Sequence, residues 1–355
     1  MRGLLALLVA LSHAAAVCAL VPTTTDYFQS ALTPFLMFSG FNYVLGFIVI
    51  SGYCIARSTI AQPFRLRAYA ALRVTRIYPA LIACVMLAAV VEMCLLKNPA
   101  RIQMWSYGID TQHFLFNLAG FRQFGSMAPT YTVTYELFYY LAWGCALAVI
   151  PRRLVLACLA LAMAALLLII PVIIQFAVVL SLVWIMGAAL AVHQIPVLKL
   201  AHKCPLWITW ALFVVVLVWG NSELARNGIS VWDFPGSLAT IPCGALFVFV
   251  IASHLSRPGQ KFELDDWLGE ISYPLFLAHG PTIIAVGSTI KAMKIPMNFG
   301  PLCLLLMASS IVVAQIILVA VDRPVMFWRR RLRAATGAPA VRAENVSALP
   351  EREAA

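Results

Sequence analysis

Charged side chains are scarce in this sequence. Asp, Glu, Lys and Arg together make up 11% of its 355 residues, whereas 63% are hydrophobic and the mean hydropathy is +0.91. About a quarter of the residues of a typical soluble domain are charged. The composition therefore excludes a soluble globular protein and indicates a polytopic membrane protein.

Acidic residues are scarcer than basic ones, with 14 Asp and Glu against 25 Lys and Arg and a net charge of +11. A basic excess can mark a nucleic-acid-binding protein. Here, however, the Lys and Arg residues lie in short gaps between apolar runs, where they set membrane topology and contact lipid headgroups or anions. We therefore expect a lipid bilayer as partner and no nucleic acid.

The nine cysteines lack the spacing of a metal site. No C-x-x-C motif or Cys/His cluster occurs. Several cysteines lie inside apolar runs, where a thiol behaves as a small hydrophobic group. We predict neither a metal site, nor a disulfide framework, nor a bound cofactor.

Apolar runs long enough to cross a bilayer predict an all-α polytopic fold with about ten transmembrane helices. With the N- and C-termini in the cytoplasm, most Lys and Arg residues fall on the cytoplasmic side, as the positive-inside rule requires. Pro274 and Pro281 interrupt the ninth run and predict a broken helix. The membrane domain covers 1–331, and 332–355 is predicted to be a disordered cytoplasmic tail. The runs are roughly 3–21, 40–57, 77–96, 132–150, 154–171, 173–192, 206–220, 237–254, 272–290 and 301–321.

The first run carries an ionisable pair, Arg2 and His13. Eleven helical steps turn the chain by about 1100°, close to three full turns, so both side chains share one face. An ionisable residue inside a membrane helix indicates a functional site, although a structural His bonded to a neighbouring helix is the alternative. The run also resembles a secretory signal peptide. Cleavage would separate Arg2 and His13 from the rest of the protein, so we expect the segment to be retained.

Two motifs follow on the cytoplasmic side. SGYCIAR contains Ser51, which either contributes to the site or only bonds across helices. RLRAYAALRVTRIYP contains Arg73 and Arg76 just before Tyr78. Because the Arg guanidinium is planar and always charged, Arg73 and Arg76 are predicted to bind phosphate groups.

Two further motifs place ionisable residues in apolar runs. YTVTYELFYYLAW carries Glu136, and ISYPLFLAHGP carries His279. A buried charge is costly without a partner, so Glu136 either pairs with an arginine at the membrane edge or serves the site. His279 is predicted nearer the outer surface, as a structural or an acceptor-side residue. VDRPVMFWRRR then ends the last run.

In this order the motifs resemble those of the acyltransferase 3 family: R-x10-H, an SGF or SGY element, RxxRIYP, WSLSVEEQFY, SYPLYLWH and E-[RK]-P. The sequence departs from them at Tyr131 and Ala278, where Trp is usual, and at Leu137, which replaces a second Glu. Family members usually have several residues before the Arg, which implies that the natural chain starts upstream.

The resemblance implies an O-acyltransferase of the bacterial inner membrane. It would move an acetyl or short acyl group from cytoplasmic acyl-CoA, its co-substrate, to a hydroxyl of a cell-surface carbohydrate. His13 would act as general base or acyl carrier, Arg2 would contact the donor or the developing oxyanion, and Glu136 would support the imidazole. The resemblance also implies an acyl-CoA site formed by Arg73, Arg76, Tyr78 and Ser51.

A proton-coupled transporter of a sugar or small anion is the alternative, because ten spans, a broken helix and buried His and Glu also fit one. The two halves of the sequence show no internal similarity, and the Arg cluster lies at one face, which favours the acyltransferase. Many relatives carry a second, soluble esterase-like domain. We expect this chain alone, or a separate periplasmic transferase or esterase, to complete the transfer.

Overall fold

In a computed structural model, helix is the only regular secondary structure in the described part of the chain. Helix accounts for 86% of the structure, and no strand occurs among the residues described. These are residues 1–21, 27–60, 64–104, 108–121, 123–127, 130–169, 172–212, 214, 240–257 and 263–335. Most of the predicted disordered tail, 336–355, lies outside them.

Part of the predicted run 206–220 lies outside the described residues. Helices occupy most of the other runs, with bounds that differ from several of them. The helices are α1 (Arg2–Leu20), α2 (Tyr27–Ile60), α3 (Leu66–Leu95), α4 (Thr111–Leu118), α5 (Thr130–Val149), α6 (Arg152–Ile169), α7 (Val172–Val192), α8 (Gln194–Lys203), α9 (Thr240–Leu255), α10 (Glu263–Met293), α11 (Phe299–Ile317), a π-helical turn (Leu318–Asp322) and α12 (Arg323–Ala335).

Five of the described helical segments are long and apolar enough to cross a membrane. A sixth results if α7 and α8, which meet at a 95° bend, form one broken span. The described part of the chain is therefore all-α with several candidate membrane spans, as predicted, whereas the number of ten spans and the cytoplasmic position of both termini stay predictions. The five are Arg2–Leu20, Asn42–Ile60, Leu66–Leu95, Leu264–Met293 and Phe299–Arg331.

Two helices differ from the sequence-based expectation. α3 begins at Leu66, so Arg73 and Arg76 stand on its first turns rather than in a loop. α10 is one continuous helix through Pro274 and Pro281, so the predicted break is wrong. Each proline removes one N–H donor, and tight packing against neighbouring helices can hold such a helix together.

The chain divides into two compact units. The first comprises Met1–Val44, Ala70–Leu141 and Glu263–Arg330. The second comprises Leu45–Tyr69, Ala142–Phe262 and Arg331–Ala355.

In the first unit, α1 and α10 run parallel and pack closely. Gly3 lies against Leu268, so tightly that a Cβ at Gly3 would overlap it. His13 meets His279 further along, and a Cβ at Gly287 would lie 2.7 Å from Val17 Cγ1. The partners' residue numbers rise together, which defines a parallel pair.

α3 runs in the same direction as α1 and α10, and α11 runs in the opposite direction. Tyr273 of α10 donates a hydrogen bond to the Ile77 carbonyl near the start of α3, at 3.2 Å. Beyond the end of α3, the Ile102 N–H donates to Ser288 Oγ at 3.0 Å. Cys18, near the end of α1, contacts Cys303 at the start of α11. An apolar core of these helices fills the end of the unit where α1 ends.

Residues 108–121 and 123–127 form a segment that folds back along α3 and α5. Asp110 caps α4 by accepting a hydrogen bond from the His113 N–H, which holds the pKa of the Asp110 carboxyl below its usual range. After α4, the carbonyl of Ala119 accepts a 3.1 Å hydrogen bond from Tyr78, and that of Gly120 accepts a 2.6 Å bond from Thr134. Side chains thus satisfy non-helical carbonyls that pack between helices, as an apolar environment requires.

In the second unit, α2 and α7 approach backbone to backbone. A Cβ at Gly52 would overlap the Trp184 carbonyl oxygen, and a Cβ at Gly187 would overlap the Val49 carbonyl oxygen. Small residues allow such close packing of membrane helices. Gly52 of the SGY motif therefore has a packing role.

Gly187→Ala is expected to destabilise the protein, because the added methyl group meets a backbone oxygen that cannot move aside. The cost should be about 1–3 kcal/mol, as for other overpacked sites. Gly300→Ala is the matched control, since no atom lies within 4 Å of a Cβ there. The midpoint of thermal unfolding in detergent should fall for Gly187→Ala and stay or rise for Gly300→Ala. Equal midpoints for the two variants would contradict the packing described.

Candidate functional site

Two histidines from opposite ends of the sequence form a direct pair in the first unit. His13 Nδ1 lies 2.7 Å from His279 Nε2. The ring centroids lie 5.0 Å apart and the ring planes are inclined by only 16°, so the hydrogen bond joins the two ring edges. Parallel packing of α1 and α10 thus brings the two histidines to the same level, and a position of His279 toward the outer, acceptor side of the membrane stays a prediction.

The histidine pair sits in largely apolar surroundings. His279 is completely buried, and its Nδ1 atom lies 3.1 Å from the Leu275 carbonyl oxygen one turn earlier on α10. The ring of Phe276 lies beside it, with centroids 6.2 Å apart. His13 is partly buried. Polar contacts of these imidazoles are therefore made inside the helix bundle.

Arg76 lies closer than the two histidines to the end of the unit where α1 begins. Its guanidinium carbon is 5.6 Å from the centroid of the Tyr273 ring, a cation–π distance. Tyr273 precedes His279 by six residues on α10, which corresponds to about 9 Å along the helix axis. The cation thus lies roughly a turn and a half from the imidazoles along α10.

Arg73 and Glu136 meet around another tyrosine. The guanidinium carbon of Arg73 is 5.7 Å from the Tyr140 ring centroid. The Tyr140 hydroxyl donates to Glu136 Oε2 at 3.4 Å, and the Glu136 carboxylate is close enough to Tyr273 to act on it electrostatically. The structure therefore brings together Arg73, Arg76 and Glu136. That Glu136 orients His13 stays a prediction.

The remaining predicted residues occupy separate positions. Arg2 is the first residue of α1, beside the tight contact of Gly3 with α10. Tyr78 donates its hydrogen bond to Ala119 in the folded-back segment. Ser51 is buried in the second unit. Their roles in binding or catalysis stay predictions.

The sequence-based prediction missed Asp322, in the π-helical turn. Its side chain is 4% exposed, and its charge interacts with those of Arg76 and Arg329. Within the described part of the chain, Oδ2 of Asp322 has no hydrogen-bond partner. π-Helical turns occur frequently at functional sites. The sequence signal for this site is an acidic residue at the end of an apolar run, directly before Arg323 and Pro324.

A second missed carboxylate is Glu92, near the end of α3. Glu92 Oε2 lies 2.7 Å from Arg101 Nη2, and the two side chains are 4% and 20% exposed. Gly125 covers the carboxylate so closely that a Cβ there would lie 2.6 Å from Glu92 Oε1. The ion pair therefore links Arg101, in the connection after α3, to α3 itself. It places the Glu92 carboxylate beneath the folded-back segment.

The described residues contain no group of three or more His, Cys, Asp or Glu side chains that could hold a metal ion. What they contain is an imidazole pair, suited to moving a proton or attacking a carbonyl, and arginines suited to holding an anion.

The comparisons with known proteins agree with this chemistry. Residues 1–319 match the family model of acyltransferase 3, described as Acyltransferase domain. The chain belongs to the acyltransferase 3 family. Neither the comparison with curated proteins nor that with solved structures found a match. Membership of this family, together with the apolar helices, supports an acyltransferase that is an integral, multi-pass membrane protein.

Glu92→Gln is expected to lower the stability of this family member, because it leaves the Arg101 charge partly buried without its partner. Removing one member of a buried pair costs about 3–5 kcal/mol, and the partial exposure of Arg101 should reduce this. The exposed pair of Arg323 and Glu270, at 3.3 Å, provides the control. Glu270→Gln should cost about 1 kcal/mol or less. Thermal unfolding midpoints in detergent would test the difference, and a similar loss in both variants would contradict it.

Proposed function

We propose that this protein is a membrane O-acyltransferase. It transfers an acetyl or short acyl group from cytoplasmic acyl-CoA to a hydroxyl of a cell-surface or extracellular carbohydrate. The observation that carries the proposal is His13 of the R-x10-H motif, bonded to a second imidazole in the same unit as Arg73 and Arg76.

The arginines supply the donor site in this proposal. Acyl-CoA carries a pyrophosphate and a 3′-phosphate, and Arg binds phosphate oxygens through its planar fork. Arg76 stacks on Tyr273 and Arg73 on Tyr140, so their cations are held at the end of the unit where α1 begins. Phosphates bound there leave the acyl arm to extend along α10 toward His13. Tyr78 and Ser51 are further candidate contacts of the donor.

The chemistry requires one new C–O bond and the loss of one C–S bond. As general base, His13 takes the proton of the acceptor hydroxyl, whose oxygen attacks the thioester carbonyl. The proton then passes to the leaving thiolate. As acyl carrier, the His13 nitrogen itself attacks the carbonyl first, and the hydroxyl then receives the acyl group. Arg2 would contact the donor, because about 16 Å of α1 separates it from His13. Glu136 would stabilise the positive charge that develops on the imidazole electrostatically.

Helix directions support donor and acceptor on opposite sides of the membrane. In a ten-span topology with both termini in the cytoplasm, spans 1, 3 and 9 run outward and span 10 runs inward. α1, α3 and α10 are parallel and α11 is antiparallel to them, as this topology requires. The arginines then lie toward the cytoplasm and the carbohydrate approaches from outside. The bacterial inner membrane is the proposed location.

A proton-coupled transporter is the second candidate, because directly bonded imidazoles can also pass a proton. Binding of acyl-CoA to the purified protein separates the candidates, since a carrier of sugars or small anions has no site for it.

His13→Ala is expected to abolish acyl transfer, because both roles of His13 need its imidazole. Loss of a general base alone costs about 10²–10⁴-fold. The measurement is ester-linked acetate on surface polysaccharides of the native host after deletion and complementation at matched membrane abundance. His202→Ala is the control, since that imidazole is exposed in the second unit. Full restoration of acetate by His13→Ala would refute a catalytic His13.

Arg76→Gln is expected to weaken acyl-CoA binding about 10- to 100-fold, because a hydrogen bond to a charged group contributes about 1.5–3 kcal/mol. Tyr273→Phe keeps the ring that faces the guanidinium and should bind acyl-CoA nearly normally, whereas Tyr273→Leu should bind it more weakly.

Arg323→Gln controls for the loss of a basic residue, because Arg323 is half exposed and pairs with Glu270. Calorimetry with acyl-CoA and purified protein measures all four variants. Equal affinities for Arg76→Gln and Arg323→Gln would exclude Arg76 from the donor site.

A further inference from the structure

We propose that His279 is a positioning residue that holds His13 in one tautomer, with the proton on Nδ1 and the lone pair on Nε2. The catalytic role of His13 is taken from the proposed function, and this is the one respect in which the proposal rests on it. The tautomer itself follows from the hydrogen bonds of the pair.

The argument begins at the Leu275 carbonyl. Its oxygen lies 3.1 Å from His279 Nδ1. A carbonyl oxygen can only accept a hydrogen bond, so His279 Nδ1 must carry a proton and donate it. This bond lies within α10, one turn back, and therefore exists wherever the helix is formed.

The second step concerns the other nitrogen of His279. The residue is completely buried, as are its neighbours Leu275, Leu277 and Ala278. An imidazolium ion in such surroundings is costly, so His279 is neutral and its Nε2 atom carries a lone pair. The 2.7 Å contact between this Nε2 and His13 Nδ1 then requires His13 Nδ1 to be the donor.

The third step gives the reactive atom. A neutral His13 with its proton on Nδ1 has its lone pair on Nε2. Nε2 is therefore the atom that removes the hydroxyl proton or attacks the thioester carbonyl. When Nε2 takes up a proton, the positive charge on His13 is stabilised through the Nδ1–H bond to His279. The proton later leaves from Nε2 to the thiolate, and both Nδ1 protons are unchanged at the end of the reaction.

The helix packing fixes this geometry. Close contacts flank the pair on both sides along α1 and α10, with Gly3 against Leu268 and Gly287 against Val17. Rotation of α1 about its axis would drive side chains or backbone into these contacts. Outer hydrogen-bond partners orient reactive histidines in the same way at metal sites and in catalytic triads.

Substitution of His279 tests the role in catalysis. His279→Leu removes the acceptor and should lower kcat about 10- to 100-fold, the usual effect of losing such a partner. KM for acyl-CoA should stay unchanged, because Arg73 and Arg76 are untouched. His279→Gln should recover most of kcat, since its Oε1 atom can accept the hydrogen bond from His13 Nδ1.

Thr282→Val is the matched control. Thr282 is buried on α10 but donates only to the Ala278 carbonyl of its own helix, so its loss should leave kcat unchanged. All variants are compared at equal amounts of folded protein. Wild-type kcat in His279→Leu, or equal loss in His279→Gln and His279→Leu, would overturn the positioning role.

A spectroscopic measurement tests the tautomer without any activity. In ¹⁵N-histidine-labelled protein in lipid bilayers, NMR should show both rings protonated at Nδ1 and not at Nε2. Spectra of His13→Ala and His279→Gln identify the two signals among the six histidines. A proton on Nε2 of His13 in the wild type would overturn the proposal, even if His279→Leu failed to fold.

Failure of this proposal can be told from failure of the proposed function. If deletion of the protein leaves ester-linked acetate on the surface polysaccharides unchanged, the proposed function fails, and if His13→Ala restores acetate fully, the catalytic role of His13 fails. If His13→Ala is inactive while His279→Leu is fully active, only the role of His279 is overturned.

Discussion

The parallel contact of α1 with α10 is the constraint on which the first unit depends. Glycines at Gly3 and Gly287 let the helices meet on either side of the histidines. The hydrogen bond between His13 and His279 then gives each imidazole a polar partner inside the helix bundle. Because buried polar groups are costly when unpaired, the contact and the pair depend on each other.

Polar groups are arranged in order along this contact. Arg2 stands where α1 begins, Arg76 and Tyr273 follow, and the histidines come about 9 Å further along α10. Beyond them, apolar residues pack α1, α10 and α11 against one another. The order suits a donor with its charged groups at one end and its reactive carbon at the other. The same separation keeps the arginine cations at a distance from the histidines, which the reaction needs in neutral form.

Buried and partly buried carboxylates balance part of the basic charge in the unit. Asp322 lies near Arg76 and Arg329, Glu92 pairs with Arg101, and Glu136 accepts from Tyr140. Each carboxylate belongs to a different stretch of sequence, yet all belong to one unit. Ion pairs of this kind contribute little net stability compared with apolar packing, but loss of one member is costly. They therefore constrain which arginines can reach an external anion.

The sequence alone determined the helical class, because a bilayer satisfies backbone hydrogen bonds only within helices or closed barrels and the apolar runs have helical length. It also placed Arg2 and His13 on one face and singled out Arg73, Arg76 and His279. Only the tertiary structure decided that His13 meets His279 across 266 residues, that α10 stays continuous through its prolines, and that Asp322 comes near enough to Arg76 to interact with it electrostatically. In helices that are apolar on nearly every side, periodicity does not reveal the inward face, so partners distant in sequence are selected by packing.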